Sequence, residues 1–436
     1  MQSVKIGLMG LGTVGGGTAT VLLRNCDEIA RRAGRRLEIV HVAAKDIADQ
    51  TILDPSSVKL SDDASGVVND PDVDIVVELI GGYSPARELV LKAIENGKHV
   101  VTANKALIAI HGAEIFKAAQ EKGVIVAYEA AVAGGIPVIK AIREGLSANK
   151  VEWVAGIING TGNFILTEMR DKGRGFNDVL AEAQALGYAE ADPTFDVEGI
   201  DAAHKLTILA SLSFGIPLQF DKTFTEGISK ITQEDVSFAE ELGYRIKHLG
   251  IARKTAKGIE MRVHPTLIPA RRLIANVDGV MNAVLVKADA VGPTLYYGAG
   301  AGAEPTASAV VADLVDVARA MHVEVENRVA ALGYQPELLE DTVVVAQEAF
   351  ETAYYVRMLA DDRPGVLADV TRIFADNDIS IEAVIQKEPK EGQPRACLIM
   401  MTSRIVEKNM IEALHKIEAL DAIEGDVIKI RLEHLD

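Results

Sequence analysis

The chain has 436 residues, 48% of them hydrophobic, and a formal net charge of −18 at pH 7. This length and apolar content allow two or three domains with sizeable cores. The negative charge argues against nucleic acid or an anionic membrane as the main partner, because both require a positive field. Cys26 and Cys397 form no metal-binding pattern and favour a reducing, cytoplasmic compartment. No apolar run is long enough to predict a membrane span.

Short apolar strands alternate with helical stretches over the first third of the chain. A glycine turn leads into a helix that we predict to run to about Arg32, and a second helix over 85–96 is predicted to end at Gly97. The predicted strands are 4–10, 37–44, 74–82, 99–105 and 124–130. This alternation indicates a Rossmann-like, doubly wound α/β sheet.

The pattern changes to α+β after about Gly135, and a glycine-rich stretch near Gly298 opens a long helix to about Met321. From about Thr352 the order strand, helix, strand, strand, helix, strand predicts a ferredoxin-like βαββαβ unit. The predicted domains are a nucleotide-binding domain (1–135, rejoined by 298–325), a substrate and dimerisation domain (136–297), a connecting segment (326–351) and a terminal domain (352–436).

The turn after the first strand carries the pattern Gly10-x-Gly12-x-x-Gly15, with Thr13 and Val14 between the last two glycines. In a dinucleotide site these glycines permit a tight turn, close approach of a pyrophosphate, and close helix–strand packing. The motif alone is weak, and an ordinary glycine-rich turn is the alternative. Its place between a strand and a helix favours binding of NAD or NADP.

Two residues after the second strand bear on which nucleotide binds. Asp46 would accept hydrogen bonds from the ribose of NAD, whereas Lys45 would pair with the extra phosphate of NADP. We predict a slight preference for NADP with use of both. The alternative is that Lys45 is a solvated surface lysine.

Three charged residues form the candidate catalytic group. Lys105 follows a strand of the nucleotide domain, where ligands bind in open α/β sheets. Asp201 and Lys205 are four residues apart and therefore neighbours on one helix face. The alternatives are that Asp201 and Lys205 form an exposed ion pair and that Lys105 is a lysine in a surface loop. However, the helix continues into an apolar stretch, so the pair would be partly desolvated and the pKa of its lysine open to change.

Six motifs, in this order along residues 4–345, resemble the homoserine dehydrogenase family. They are GLGTVG, TANKAL, EAAVAGGIP, NGTGNFIL, LGYAEADPTFDVEGIDAAHKL and GAGAGAEPTASAVVADL. The set is highly specific, although its first motif alone is not. The terminal domain resembles an ACT domain, as in monofunctional bacterial members of the family.

The resemblance implies interconversion of homoserine and aspartate 4-semialdehyde in threonine, methionine and isoleucine biosynthesis. It implies that Lys205 is the acid/base, that Lys105 contacts the reacting group, and that Asp201 orients the substrate hydroxyl and Lys205. Two nearby lysines should lower each other's pKa. The other implied substrate-binding residues are Glu190 for the ammonium group, Asp196, and Asn159, Gly160 and Thr161 for the carboxylate. Gly187, Gly302 and Lys105 are implied contacts of the cofactor.

The resemblance also implies a sodium site and a regulatory site. The sodium ligands would be Glu129 and the carbonyl groups of Val132, Gly134 and Ile136, although a simple glycine turn is the alternative. The ACT domain would bind threonine between paired domains of a homo-oligomer, either a dimer or a tetramer. Its implied regulatory residues are Gly365, Val366, Leu367, Asn377 and Ile379. The alternative is that this domain serves only in oligomerisation.

Three other functions compete with this interpretation. A sugar oxidoreductase of the glucose–fructose type typically has Glu-Lys-Pro where this chain has Asn104-Lys105-Ala106. A phosphorylating semialdehyde dehydrogenase needs a nucleophilic cysteine in mid-chain. A nucleotide-sensing regulator without catalysis would not require Lys105, Asp201 and Lys205 together.

Overall fold

The computed structural model describes residues 3–45, 47, 50–387 and 395–436. Its first part contains β1 (Val4–Met9), α1 (Thr13–Arg24), α2 (Cys26–Ala33), β2 (Leu37–Ala43), β3 (Lys59–Ser61), α3 (Ala64–Asn69), β4 (Ile75–Glu78), α4 (Ala86–Glu95), β5 (His99–Thr102), α5 (Lys105–Lys122) and β6 (Val126–Ala127). The strands form one parallel sheet in the order β3-β2-β1-β4-β5-β6. The predicted doubly wound sheet is thereby confirmed.

Two local predictions for this part need correction. The first helix does not run unbroken to Arg32, because Asn25 leaves helical geometry (φ −107°, ψ 19°) and separates α1 from α2. Asparagine is a poor helix former, and its side chain competes for backbone hydrogen bonds. The strand predicted at 124–130 shrinks to β6, because the chain turns into a short 3₁₀ helix at Glu129–Ala131.

The middle part surrounds a second, mixed sheet, which is separate from the parallel sheet of the nucleotide domain. Its elements are α6 (Val138–Lys140), β7 (Val151–Ile157), α7 (Gly160–Lys172), α8 (Phe176–Ala185), α9 (Thr194–Val197), α10 (Ile200–Phe214), β8 (Phe224–Thr225), α11 (Gln233–Glu241), β9 (Tyr244–Thr255), β10 (Gly258–Pro269), β11 (Met281–Ala288), β12 (Gly292–Ala299) and α12 (Ala303–Ala320). Helix α10 is buried along most of its length and packs on β7, β9 and β10. Helix α12 returns to pack against α1.

The last part has the predicted βαββαβ order. Its elements are β13 (Glu351–Asp361), α13 (Val366–Asp376), β14 (Ile381–Lys387), β15 (Arg395–Thr402), β16 (Ile405–Val406), α14 (Glu407–Glu418) and β17 (Ile423–Leu432). The four long strands lie in the order β17-β13-β15-β14.

The middle and terminal sheets are joined, which the sequence did not predict. β17 pairs in parallel with β10, with Arg431 opposite Thr266 and Leu432 opposite Leu267. The main path through the combined sheet is β12-β11-β7-β9-β10-β17-β13-β15-β14. One apolar cluster, which includes Ile165 of α7 and Tyr355 of β13, spans both parts. The terminal domain is therefore built onto the substrate domain. Within the described ranges, no helix is long and apolar enough to cross a membrane.

Candidate active site

The turn between β1 and α1 requires glycine at two of its three motif positions. Gly10 has φ +97°, and a Cβ there would lie 2.6 Å from the carbonyl oxygen of Leu79. A Cβ on Gly15 would overlap the carbonyl oxygen of Gly10. Gly12 is the N-cap of α1 and leaves open space where a side chain would stand. The turn is therefore tight, and it is open towards the end of the helix.

The first residues of α1 are Thr13 and Val14. Their N–H groups have no acceptor within the helix, as at any helix N-terminus, and the helix dipole favours an anion there. Together with the open turn, this arrangement fits a dinucleotide pyrophosphate.

A second helix start lies beside the first. Gly302 (φ +121°) precedes α12, and a Cβ on Gly17 would lie 2.5 Å from the carbonyl oxygen of Ala303. Arg24 and Glu304 form an ion pair of 2.8 Å between α1 and α12. Sequence analysis missed the role of Gly17, although the unbroken run of glycines from Gly15 was a signal of close packing.

Lys45 is exposed just after β2, at the carboxyl edge of the sheet. Asp46, which would instead favour NAD, lies outside the described residues. The choice between NAD and NADP therefore stays a prediction.

A buried network fixes the start of α5, which carries Lys105. The Thr102 hydroxyl donates to the buried Glu78 carboxylate over 2.6 Å. Asn104 donates to the carbonyl of Gly82 over 2.7 Å, and its side-chain oxygen caps α5. Sequence analysis missed Glu78, although an acid closing an otherwise apolar strand is the kind of residue that needs a polar partner.

Asp201 is the centre of the candidate catalytic group. Its Oδ2 accepts hydrogen bonds from Lys205 Nζ at 2.7 Å and from Asn159 Nδ2 at 2.8 Å, and its Oδ1 lies 3.2 Å from Lys105 Nζ. Lys205 Nζ also donates to the carbonyl oxygen of Ile158 over 2.7 Å. The structure thus brings together the two lysines and the carboxylate that the sequence selected.

The two lysines have opposite electrostatic environments. Burial lowers the pKa of Lys205, Asp201 opposes this effect, and the charge of Lys105 lowers the pKa of Lys205 further. Asp201 raises the pKa of Lys105 more than burial lowers it. Burial raises the pKa of Asp201, but both ammonium groups outweigh burial and hold it well below its usual range. The pKa of Lys105 is therefore raised overall, because Asp201 has the largest effect on it, and of the two lysines it is Lys205 that has the lowered pKa which a base needs.

The segment before α10, which includes α9, adds two carboxylates to the group. Asp196 accepts a hydrogen bond from Asn159 Nδ2 over 2.7 Å, and burial raises its pKa. Glu190 is exposed. After Asp201, the charges of Asp196 and Glu190 also raise the pKa of Lys105.

The segment predicted to bind a carboxylate forms the start of α7. Asn159 is its N-cap and accepts from the N–H of Gly162 over 2.8 Å. The Thr161 hydroxyl donates to the Tyr188 carbonyl over 2.6 Å, so it holds the neighbouring loop. The N–H groups of Gly160 and Thr161, as the first two of a helix, have no acceptor within it. These backbone groups rather than the hydroxyl suit an anionic substrate group.

Gly187 has a local structural reason for being glycine. It has φ +74° and follows α8, and its N–H donates to the Gln184 carbonyl over 3.0 Å. Its predicted contact with the cofactor stays a prediction.

His204 lies in an aromatic stack beside the catalytic helix face. Its ring is 4.1 Å from that of Phe220 and 5.4 Å from that of Phe195. Its Nε2 is 3.2 Å from the hydroxyl of Tyr83, which belongs to the loop after β4. Burial lowers the pKa of His204 to about 4, so the imidazole is neutral at pH 7. Neither His204 nor Tyr83 was among the site residues predicted from the sequence.

The predicted sodium site is a buried turn at the domain boundary. The Glu129 carboxylate accepts from the N–H groups of Ile139 and Lys140, at 2.9 and 2.8 Å. A Cβ on Gly134 (φ +44°) would lie 2.5 Å from the Gly300 carbonyl oxygen, so the turn abuts the returning glycine loop. Each oxygen of Glu129 thus accepts one backbone N–H and keeps a second lone pair, so the carboxylate and the carbonyl groups of this turn stay the predicted sodium ligands. Among the described residues, no three His, Cys, Asp or Glu side chains form a metal cluster.

The predicted regulatory residues divide into exposed and buried ones. Gly365 (φ +98°) precedes α13 with open space around it, and Leu367 is exposed. Val366 and Ile379 lie in the core of the terminal domain. Asn377 ends α13, and its side chain binds Lys416 and the Ile373 carbonyl. β14 starts at Ile381 rather than directly after α13, because Asn377 and Asp378, which has a positive φ, form the turn that ends the helix.

A dinucleotide-type turn, together with a Lys–Asp–Lys group whose Lys105 follows β5 of the same parallel sheet, indicates the class of nicotinamide-nucleotide-dependent dehydrogenases. Comparisons with known proteins then specify the family. Residues 137–315 match the family model described as homoserine dehydrogenase, 10–129 that of the homoserine dehydrogenase NAD-binding domain, and 354–419 that of the ACT domain.

Relatives match over the full chain. The homoserine dehydrogenase of Pseudomonas aeruginosa is 64% identical over 436 residues, and that of Neisseria gonorrhoeae is 55% identical over 437, each covering 100% of both chains. The crystal structure of a homoserine dehydrogenase from Thiobacillus denitrificans is 64% identical, with TM-score 0.95 over 100% of this chain and 99% of that chain. The chain belongs to the homoserine dehydrogenase family and is an NAD(P)-dependent oxidoreductase with a C-terminal ACT domain.

Proposed function

We propose that the chain interconverts L-homoserine and L-aspartate 4-semialdehyde in threonine, methionine and isoleucine biosynthesis. The observation that carries this proposal is the largely buried Lys205, whose ammonium group donates to Asp201 and to the Ile158 carbonyl and whose pKa burial lowers. A bound nicotinamide supplies the hydride chemistry. The test is absorbance in the nicotinamide band, with homoserine as the substrate and each cofactor in turn.

Lys205 moves the proton. In the oxidation, its neutral amine takes the hydroxyl proton of homoserine as hydride leaves the same carbon. In the reduction, its ammonium group gives a proton to the aldehyde oxygen as hydride reaches the carbon. The lowered pKa of Lys205 makes the neutral amine more available than that of an ordinary lysine.

The remaining charged residues bind and orient the substrate. Asp201 holds both lysines in place, and Lys105, whose pKa is raised, stays cationic beside the reacting oxygen. Glu190 and Asp196 supply negative charge for the substrate ammonium. The N-terminus of α7 receives the substrate carboxylate.

The cofactor is proposed to be NADP or NAD, with a slight preference for NADP through Lys45. The glycine turn fits the pyrophosphate of either nucleotide. A hyperthermophilic archaeal homoserine dehydrogenase, 25% identical with TM-score 0.62 over 72% of this chain, was solved in complex with NADPH. We further propose a homo-oligomer, a dimer or a tetramer, in the cytoplasm.

A monovalent cation, sodium, is proposed to bind Glu129 and the carbonyl groups of Val132, Gly134 and Ile136. No step of the reaction passes through it. Its test is the thermal midpoint of unfolding in sodium chloride against choline chloride at equal ionic strength. A midpoint equal in both salts would remove the cation from the proposal.

Threonine is proposed to inhibit the enzyme by binding near Gly365 of the ACT domain. Inhibition requires that threonine bind a less active state more tightly. Gly365→Asp should abolish inhibition while basal turnover remains. The matched control is Gly425→Asp, because Gly425 also has positive φ (+69°) and open space in the same domain. If the unaltered enzyme ignores millimolar threonine, the ACT domain is not a threonine sensor.

A further inference from the structure

A short segment, residues 226–229, lies between the ACT domain and the substrate site; we refer to it as the bridging segment. On the ACT side, Arg431 Nη1 lies 2.6 Å from Glu226 Oε2. Arg431 is 1% exposed in β17, whereas Glu226 is only partly buried. The Glu226 N–H donates to the Val263 carbonyl over 2.8 Å, so the segment is also anchored on β10.

On its other side the bridging segment holds the end of α9. A Cβ on Gly227 would overlap the Glu198 carboxylate and lie 2.8 Å from the Val197 carbonyl oxygen. Ile228 N–H donates to that carbonyl over 2.9 Å, and Ser229 Oγ donates to Glu198 Oε1 over 2.7 Å. The segment therefore packs directly on the two residues that follow Asp196.

Val197 and Glu198, on which the bridging segment packs, lie in sequence between Asp196 and Asp201, the two carboxylates of the proposed substrate site. Gly199 (φ +83°) starts α10, and a Cβ there would come within 3.2 Å of the His248 imidazole. His248 Nε2 in turn lies 3.0 Å from the Glu226 carbonyl oxygen. Because these groups are closely packed, a displacement of Glu226 should also displace the turn at Gly199, and with it the positions of the Asp196 and Asp201 carboxylates.

Arg431 connects this contact with the interior of the ACT domain. Its Nε donates over 2.8 Å to Glu407, the fully buried first residue of α14, which also accepts from the Tyr354 hydroxyl over 3.0 Å. A movement of α14 thereby acts on the guanidinium group that binds Glu226.

We propose that Glu226 is a positioning residue for the substrate site, through which Arg431 of the ACT domain sets the turn bearing Asp196 and Asp201. The regulatory half of this inference rests on the proposed inhibition by threonine: an amino acid bound to the ACT domain changes the substrate site by this route.

The test is Glu226→Gln in the full-length enzyme, which keeps the side-chain shape and removes the charge. The Michaelis constant for homoserine should rise on the order of threefold to tenfold, the range expected for contacts that couple sites. The threonine concentration for half-inhibition should rise similarly, while the Michaelis constant for the cofactor stays unchanged. Ser229→Ala, which removes a neighbouring contact of the bridging segment, should shift the constant for homoserine in the same direction.

The matched control is Glu351→Gln. It removes an exposed ion pair of 2.7 Å between Glu351 and Lys257, and this pair also joins the ACT domain to the substrate domain. This variant should have the same Michaelis constants and the same threonine inhibition as the unaltered enzyme.

If Glu226→Gln lowers only the thermal midpoint of unfolding and leaves the Michaelis constant for homoserine unchanged, Glu226 is structural and the proposal is overturned. If that constant rises but threonine inhibition is unaltered, the positioning role stands and the regulatory route fails. If the unaltered enzyme ignores threonine, the constant for homoserine still tests Glu226.

Discussion

Removing the ammonium group of Lys205 is the most direct test of the mechanism. In Lys205→Met, Asp201 keeps Asn159 at 2.8 Å and Lys105 at 3.2 Å, so its charge stays paired. The stability cost should therefore be about 1–3 kcal/mol, that of an orphaned polar partner, rather than the larger cost of an unpaired buried charge. Lys105 cannot replace the base, because its pKa is raised. We expect kcat to fall by about 10²–10⁴-fold, the usual contribution of general acid–base catalysis.

The assay is steady-state oxidation of homoserine, together with cofactor binding measured by fluorescence titration, which should be unchanged. Lys98→Met is the matched control, because Lys98 is also buried and donates to two backbone carbonyls, those of Asp70 and Val73. It should lower stability and leave kcat within a few fold. Added ethylamine should partly restore the activity of Lys205→Ala, because truncation of the side chain leaves room for an external amine. A kcat for Lys205→Met within a few fold of the unaltered enzyme would refute the assignment.

Three further predictions address the other charged residues. Lys105→Met removes a cation that lowers the pKa of Lys205, so the pKa of Lys205 should rise. The rate of homoserine oxidation should then fall, and its increase with pH should occur at higher pH. An unmoved profile of kcat against pH would contradict this electrostatic account. Glu190→Gln should raise the KM for homoserine more than it lowers kcat, because an ammonium contact exists in both the ground and transition states; an unchanged KM means that the ammonium binds elsewhere. Lys45→Ala should weaken binding of NADP more than NAD in a titration, and equal losses would show that Lys45 does not contact the phosphate.

Local features of the sequence determined part of this site. The turn at Gly10 was predictable because its positive φ and its approach to Leu79 exclude side chains, and that restriction is visible in a short motif. The pair Asp201 and Lys205 was predictable because a spacing of four residues places two side chains on one face of any helix. The strand and helix order of the ACT domain likewise follows from the alternation of short segments.

Only the tertiary structure decided which distant groups meet. No local pattern places Lys105, Asn159 and Asp201 in contact, and the opposite pKa shifts of the two lysines follow from their distances and burial. Nor does periodicity show that β17 pairs with β10. The alternation of residues along a strand predicts which of its faces is buried, but it does not predict which strand lies beside it. The same holds for Glu226 and Arg431, whose significance appears only when two domains share one sheet. Local conformation depends on neighbouring residues, whereas contacts across the chain depend on the packing of the whole molecule.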